Sequence, residues 1–361
     1  MLSDKSRKTV EACRFCWMCR HLCPVGLVTG RESNGPRAKA LFISMQERGV
    51  ELEKETALDM YECALCNACA SNCETGYEPA TFIRDARSAL VAKSLVPEKV
   101  QKVIDHLLDT GSLYEADIAQ ELANFNNPGC GKILVYAGAA AAIKAPEMLR
   151  AFLNLLGKAG VEYTLFTGGH SSASAEYDLL GSVQEVQSVC EDCAKAFNDT
   201  SADKIVVLDP ADAVMFKQQY PIWGIKLNAA VETATAFVAA LVKDSRLVPS
   251  KAEGKVTYHD PSRLARDLDE TECVRELIAS MGYELCEMWQ SRKLTRSCGG
   301  EVLAAHSPEL VRKMSLARLE DAKRTGAQLI VAACPQSAAE LAEAGTMPVA
   351  DVFTLLDRMT D

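Results

Sequence analysis

The rhythm of hydrophobic and polar positions changes once along this chain, near residue 130. Before that point the apolar residues recur at helical spacing. After Gly35-Pro36, the stretch RAKALFISMQERG places Ala40, Leu41 and Ile43 among Ser44 and Gln46, and Gly49 ends it, an amphipathic helix with its stop signal. Further helices are predicted over 53–60, 82–92 and 98–109. Residues 124–132 concentrate Asn, Pro and Gly and read as a linker. Gly129-x-Gly131-Lys132 within it precedes a strand instead of following one, so it makes no phosphate loop. Beyond the linker, short β-branched runs alternate with helices: KILVYAG, a helix over 146–157, VEYTLFTGG, a helix over 182–197 and DKIVVLDP. The same order returns as KVTYHDP, a helix over 270–281, YELCEM, a helix over 308–325 and AQLIVAACP. Such alternation predicts parallel α/β layers. Its repetition predicts two related halves in a pseudo-twofold body with a site between them. The expected organisation is a helical region over 1–123, a linker over 124–131, and two α/β repeats over 132–250 and 251–361.

Two copies of one cysteine pattern lie inside the helical region. The first is Cys13-x2-Cys16-x2-Cys19-x3-Cys23 followed by Pro24, and the second is Cys63-x2-Cys66-x2-Cys69-x3-Cys73. Two-residue gaps let three thiolates converge on one cubane [4Fe–4S] cluster, and the fourth reaches a second cluster, as in two-cluster bacterial ferredoxins. On that rule Cys13, Cys16, Cys19 and Cys73 hold one cluster, and Cys63, Cys66, Cys69 and Cys23 hold the other. Zinc ribbons show separated CxxC pairs instead, and a disulfide framework suits a small secreted chain. The 39 residues between Cys23 and Cys63 exceed a small ferredoxin's hairpin, so the domain is expected to be a helical ferredoxin. In it each cysteine run starts in a loop and enters a helix. Phe15, Trp17 and Met18 among the first ligands would screen a cluster from water or simply pack. Arg37 and Lys39 would pair cluster charge or merely solvate their helix.

Composition narrows the partners. The chain has 361 residues, 15 cysteines and a net charge of −10. Residues 1–90 balance 12 basic against 12 acidic side chains, so the whole excess lies in the α/β body. No basic footprint for nucleic acid results. No secretory signal follows Met1, and no apolar run is long enough to span a bilayer. The expected setting is a reducing, cytoplasmic one, peripheral to a membrane only through a partner.

The second half contains YHDPSRLAR, SCGGEVL and GAQLIVAACPQS. It resembles the cysteine-rich CCG domain of heterodisulfide-reductase subunits and of the iron–sulfur subunits of glycolate oxidase and anaerobic glycerol-3-phosphate dehydrogenase. That family also fuses a two-cluster helical ferredoxin domain in front, so the resemblance covers nearly the whole chain. The family pattern is one Cys, a gap of just over thirty residues, a CC pair, a similar gap and CxxC. Here it reads Ser262, 34 residues, Ser297-Cys298, 35 residues, Cys334-Pro-Gln-Ser337. The first half follows the same ruler with Ala139, Ser171-Ser172 and Asp209-Pro-Ala-Asp212. Only Cys298 and Cys334 survive of ten cysteine positions, and serine or alanine cannot replace thiolates as soft ligands. The resemblance therefore implies a fold retained as scaffold without the family's catalytic cluster pair.

Four thiols qualify that reading. Cys298 and Cys334 belong at strand ends facing the old site, and Cys190 and Cys193 would complete a third four-thiolate metal site. However, a helix starting near Ser182 puts Cys190 and Cys193 two or three turns away, which favours a buried pair. Asp209, Asp212, His170 and His259 also crowd the vacated positions, and His259-Asp260 reads as a loop-positioning pair. Cys273 and Cys286 read as small buried hydrophobes, and Cys130 falls in the linker. With no dinucleotide fingerprint and no acid–base constellation, the first expectation is an electron-transfer subunit of an oxidoreductase. By resemblance its donor is an FAD-dependent dehydrogenase, and its acceptor a quinone, an electron-transfer flavoprotein or another redox subunit. The alternative is a heterodisulfide-reductase-like enzyme with a residual metal or thiol site at Cys298 and Cys334. A non-redox adaptor folded by its clusters ranks last. The vacated cleft and the surface near Arg14–Arg20 are the candidate interfaces.

Overall fold

The computed structural model describes every residue except Met1, Phe15, Leu52, Glu53, Cys130, Gly169 and His170. The expectations attached to Phe15, Glu53, Cys130 and His170 thus lie outside the described residues. Up to residue 132 the described elements are helices Asp4–Ala12, Pro24–Thr29, Pro36–Glu47, Lys54–Tyr61, Pro79–Ala92, Glu98–Thr110 and Ile118–Leu122, with short 3-10 turns at Met18–His21 and Glu32–Asn34. Pro24, Pro36 and Pro79 each open a helix, where a missing N–H loses nothing and the fixed φ is already helical. The helix expected from residue 82 therefore starts a turn earlier.

The remainder is mixed helix and parallel sheet. Strands β1 (Ile133–Tyr136), β2 (Tyr163–Leu165), β3 (Lys204–Val207) and β4 (Ala230–Thr233) form one sheet in the order β2-β1-β3-β4. Strands β5 (Lys255–His259), β6 (Glu284–Leu285), β7 (Leu329–Ala332) and β8 (Val349–Asp351) repeat it as β6-β5-β7-β8. All pairings are parallel, with Tyr136 beside Val207 and His259 beside Ala332 at the matching strand ends. In each sheet the chain order reverses between the two central strands, and loops leaving their C-terminal ends splay apart to form a crevice.

Several elements escape the sequence pattern. β4 runs directly into the apolar helix Ala234–Lys243, so periodicity cannot separate them, and β8 is three residues long. Helices Ser174–Leu180 and Glu301–His306 are short and follow Ser- and Gly-rich stretches. β6 is only two residues, so Cys286 lies beyond it and is half-buried, correcting the expected buried strand position. Cys273 opens helix Cys273–Ser280.

Two large cores hold the layers together. One lies between helices of the two halves, where Phe152 meets Phe353 edge-on at 5.3 Å among Leu156, Val238, Leu277 and Leu356. The other joins the helical region to the opposite face of the first sheet through Tyr61, Phe82, Leu179, Phe197 and Phe216. A smaller cluster seats Val25 against Leu303, Leu310, Val311 and Met314. Each buried Leu or Phe contributes roughly 1.5–3 kcal/mol, so the cysteine runs are held against both α/β halves by apolar burial.

Candidate metal centres and the strand-end cleft

The two cysteine runs occupy loops whose ends are anchored by helices. Cys13 caps Asp4–Ala12, and Cys23 caps Pro24–Thr29 with its thiol accepting from the Gly26 N–H at 3.4 Å. The second run leaves helix Lys54–Tyr61 and stays a loop until Pro79, so the expectation that it enters a helix directly is corrected. Buried Arg87 fixes its entry. The guanidinium donates to the carbonyls of Met60 (2.9 Å), Tyr61 (3.1 Å) and Cys63 (2.9 Å), and also to Asp178 O. It thereby satisfies the orphan carbonyls at that helix's end. From the other side Arg266 donates to Cys66 O at 2.5 Å, and Asn67 to Asp267 Oδ1 at 2.7 Å. Arg266 and Asp267 both belong to the π-helical turn Arg263–Asp267.

These anchors close a cavity of ≈ 30 Å³ lined by Cys23, Cys63, Cys66 and Cys69 together with Lys39 and apolar neighbours. Cys23 belongs to the first run and the other three to the second. Burial first, with Cys63 and Cys66 adding to it, pushes the Cys23 thiol up to about 12. Cys69 is pushed well up by burial and by Cys66, Cys63 and Cys23. Such thiols release their protons only to a metal that compensates the buried charge. Among the described residues no group of three or more Cys, His, Asp or Glu could hold one metal ion. The four thiols surround a volume instead, as the separate irons of a cubane require. Lys39 is buried and donates to Asp59 O, which corrects the reading of it as a solvating residue. Burial lowers the Lys39 amine from its ordinary value, and the neighbouring Cys63 and Cys23 oppose that shift.

The other four cysteines lie nearer the surface. Cys16 is exposed, and Cys13, Cys19 and Cys73 are half-buried. Burial, then Cys13, raises the Cys19 thiol to about 11. Burial would raise Cys73 too, but the Thr75 hydroxyl at 3.2 Å and the Thr75 and Tyr77 amides outweigh it and lower the thiol. Tyr77, buried and donating to Pro36 O, feels Cys69, Cys13, Cys19 and Cys63, so it stands between the two groups. Periodicity gave no hint of that role. Trp17 and Met18 are 42% and 61% exposed, which leaves them little capacity to screen.

The strand-end cleft opens beside the second group. Its ≈ 90 Å³ cavity is lined by Cys63, Cys66, Asp209, His259, Cys298 and Cys334, among others. Cys298 and Cys334 thus meet where the repeat pattern put them. Cys190 and Cys193 do not join them. Both are buried in the core near Tyr220, and Cys190 Sγ lies 3.7 Å from Ser172 O. The helix bearing them begins at Gln184. Cys298 donates to Ser337 Oγ at 3.4 Å, and burial with nearby Glu340 raises its thiol. Burial and Asp209 raise Cys334 well above its ordinary value.

The remaining vacated positions are internally satisfied. His259 Nδ1 accepts from Arg318 Nε at 3.1 Å, and Asp260 takes both arms of Arg275 at 2.7 and 2.9 Å, consistent with a loop-positioning role. Asp209 caps Pro210–Val214 through the Ala211 N–H, while Asp212 accepts from Ser172 and Ser174. Gly138 (φ 79°) passes so close that a Cβ would lie 2.5 Å from Asp212 Oδ2, so only glycine fits there. Burial raises both aspartates, and for Asp212 the neighbouring Asp209 adds to it. One ionic hub ties the parts together: Asp178 of Ser174–Leu180 bonds Arg84 at 2.7 Å and Arg263 at 2.6 Å. Burial alone would raise its carboxyl, and the two guanidinium groups hold it below the usual range instead.

Comparison with known proteins agrees with this geometry. Residues 9–77 match the 4Fe-4S dicluster domain, and residues 256–341 match the cysteine-rich CCG domain. A component of the dihydromethanophenazine:CoB–CoM heterodisulfide reductase of Methanosarcina acetivorans is 26% identical over 357 residues, covering 90% of this chain and 87% of that one. The probable iron–sulfur-binding oxidoreductase FadF of Bacillus subtilis is 28% identical over 195 residues, 53% of this chain and 27% of FadF. The EtfAB:quinone oxidoreductase of Syntrophomonas wolfei is 26% identical over 259 residues, 66% of this chain and 36% of that one. Among solved structures, the aspartate racemase of Picrophilus torridus covers 63% of this chain and 91% of its own at 12% identity, with a TM-score of 0.33, which supports no assignment. Among the described residues no helix is long and apolar enough to cross a membrane. The chain is an iron–sulfur protein of two [4Fe–4S] clusters that joins a 4Fe-4S dicluster domain to a cysteine-rich CCG domain, and it serves electron transfer in an oxidoreductase.

Proposed function

We propose that Cys13, Cys16, Cys19 and Cys73 hold one cluster, that Cys63, Cys66, Cys69 and Cys23 hold the other, and that the chain links a flavoprotein dehydrogenase to a later acceptor. The observation carrying this is the cavity that Cys23 shares with Cys63, Cys66 and Cys69, because it unites one run's fourth thiol with the other run's first three. The groups when bound supply one-electron chemistry and no bond-making. The protein's own part is to position them. Arg87 and Arg266 fix the second loop, buried Lys39 donates to Asp59 O beside it, and the apolar wall keeps water out. By resemblance the donor is an FAD-dependent dehydrogenase subunit. The acceptor is a quinone, an electron-transfer flavoprotein or another redox subunit, in a cytoplasmic complex that meets a membrane through a partner.

The finer domain reading follows. Residues 1–123 form the helical ferredoxin domain and 124–131 the linker. Residues 132–250 and 251–361 are two degenerate CCG-like repeats, a view supported by their identical strand order. The serine, alanine and aspartate at eight of the ten cysteine positions favour scaffold over a residual thiol enzyme. The test is iron and acid-labile sulfide per anaerobically purified chain, with EPR of the reduced protein. About eight irons and spin coupling between two centres are expected. About twelve irons, or substrate oxidation by the chain alone, would refute the proposal.

A further inference from the structure

The surface over the first cysteine group carries a local excess of positive charge. No acidic residue occurs from 12 to 31, whereas the whole chain carries −10. Within that window Arg14, Arg20 and His21 are exposed around exposed Cys16. Arg14 donates to Glu11 O at 2.6 Å, and Arg20 stands 3.8 Å from the exposed carboxylate of Glu32, which screens it only in part. At the far margin Glu74 follows Cys73. Between these cations sits an apolar centre of Trp17 and Met18.

Trp17 is held there at some expense. Its φ of 70° lies in the left-handed region, which a bulky residue enters only when its surroundings enforce it. The bend brings its ring under Arg37 at 3.9 Å and near Arg20 at 5.4 Å, within cation–π range. A tryptophan flanked by arginines, with methionine beside it, has the composition of a binding hot spot.

We propose that this Trp17–Arg20 face is the docking surface for a one-electron carrier or subunit whose own redox centre is ringed by acidic residues. The inference rests on the two-cluster reading above. Charge decides the partner's chemistry. An acidic carrier is repelled by the net negative charge of the α/β body and attracted by the cations of this face, so it arrives beside the exposed cysteine. A basic carrier would be drawn to the acidic body and repelled from this face.

The test uses the anaerobically purified full chain, reduced with dithionite and freed of excess reductant. Stopped-flow mixing with oxidised plastocyanin, an acidic copper protein, moves one electron from the reduced iron–sulfur centre to Cu(II), giving Cu(I). Cytochrome c serves as the basic counterpart. The plastocyanin rate should fall about tenfold between low and about 0.5 M salt, as screening removes steered association. An Arg14→Gln, Arg20→Gln double variant should lose a similar factor at low salt and most of the salt dependence. Trp17→Ala should weaken plastocyanin binding, measured calorimetrically, without altering the salt slope. Lys226→Gln with Lys313→Gln, both exposed on the body, should change neither. If the double variant retains eight irons and the parent's plastocyanin rate, the docking surface is wrong while the two-cluster reading stands. A body-lysine effect equal to the arginine effect would overturn it as well. A parent that lacks eight irons or a reducible EPR signal would fail the underlying reading instead.

Discussion

Replacing Arg87 by Met should detach the second cysteine loop while leaving most of the fold in place. Met fills similar space but donates nothing, so the Met60, Tyr61, Cys63 and Asp178 carbonyls lose the one guanidinium that serves them. A hydrogen bond from a charged donor is worth about 1.5–3 kcal/mol. The four act as a unit and do not add, and each buried carbonyl left without a donor costs about 1–3 kcal/mol. A loss of about 4 kcal/mol is expected, a large share of a stability of roughly 5–15 kcal/mol. The site effect should exceed the global one, because Cys63 O is among the carbonyls released. Anaerobic urea unfolding followed by circular dichroism reads the first quantity, and iron per chain reads the second. Iron should fall from about eight toward about four with loss of spin coupling, as one of two [4Fe–4S] centres goes. Arg87→Lys, which reaches fewer carbonyls, should fall between. Full iron content and a change below about 1 kcal/mol in the Met variant would show that Arg87 does not organise the loop.

Three other outcomes follow from the same structure. Cys298→Ala with Cys334→Ala should keep about eight irons and the parent's electron-transfer rate, and loss of either would restore the thiol-site reading. Cys23→Ala should remove the centre enclosed by Cys63, Cys66 and Cys69. Cys73→Ala should remove the exposed one. Identical residual EPR spectra from the two variants would contradict the crosswise ligand sets. Burial raises the Glu340 carboxyl to about 7, offset in part by Gln336. The folded form therefore holds a proton that the unfolded chain has released. Stability should thus fall as pH rises from about 4.5 to about 7, by an amount on the order of 3 kcal/mol. Glu340→Gln should flatten that slope, and an unchanged urea midpoint profile would refute the assignment.

Both cysteine runs were legible without coordinates, because ligand spacing is a covalent property of the chain and two-cluster chemistry follows from it. The α/β repeat was equally visible, because buried parallel strands need apolar β-branched runs such as those of β1, β3, β5 and β7. β4, β6 and β8 were missed or overextended, since two- to four-residue edge segments carry too little period to register.

Primary structure thus supplied both cysteine runs and the serine, alanine and aspartate at eight of the ten CCG cysteine positions. Packing set the surroundings in which those residues work. Lys39 looked like a helix-surface cation, and the fold buried it beside Cys23 and Cys63. Arg87 and Asp178 carry no motif, yet they tie the helical region to both α/β halves. Cys190 and Cys193 match the spacing of a ligand pair, and the helix from Gln184 carries them into the core instead. The physical reason is the same in each case. Spacing constrains neighbours within a few residues, whereas burial and charge pairing depend on which distant elements pack together.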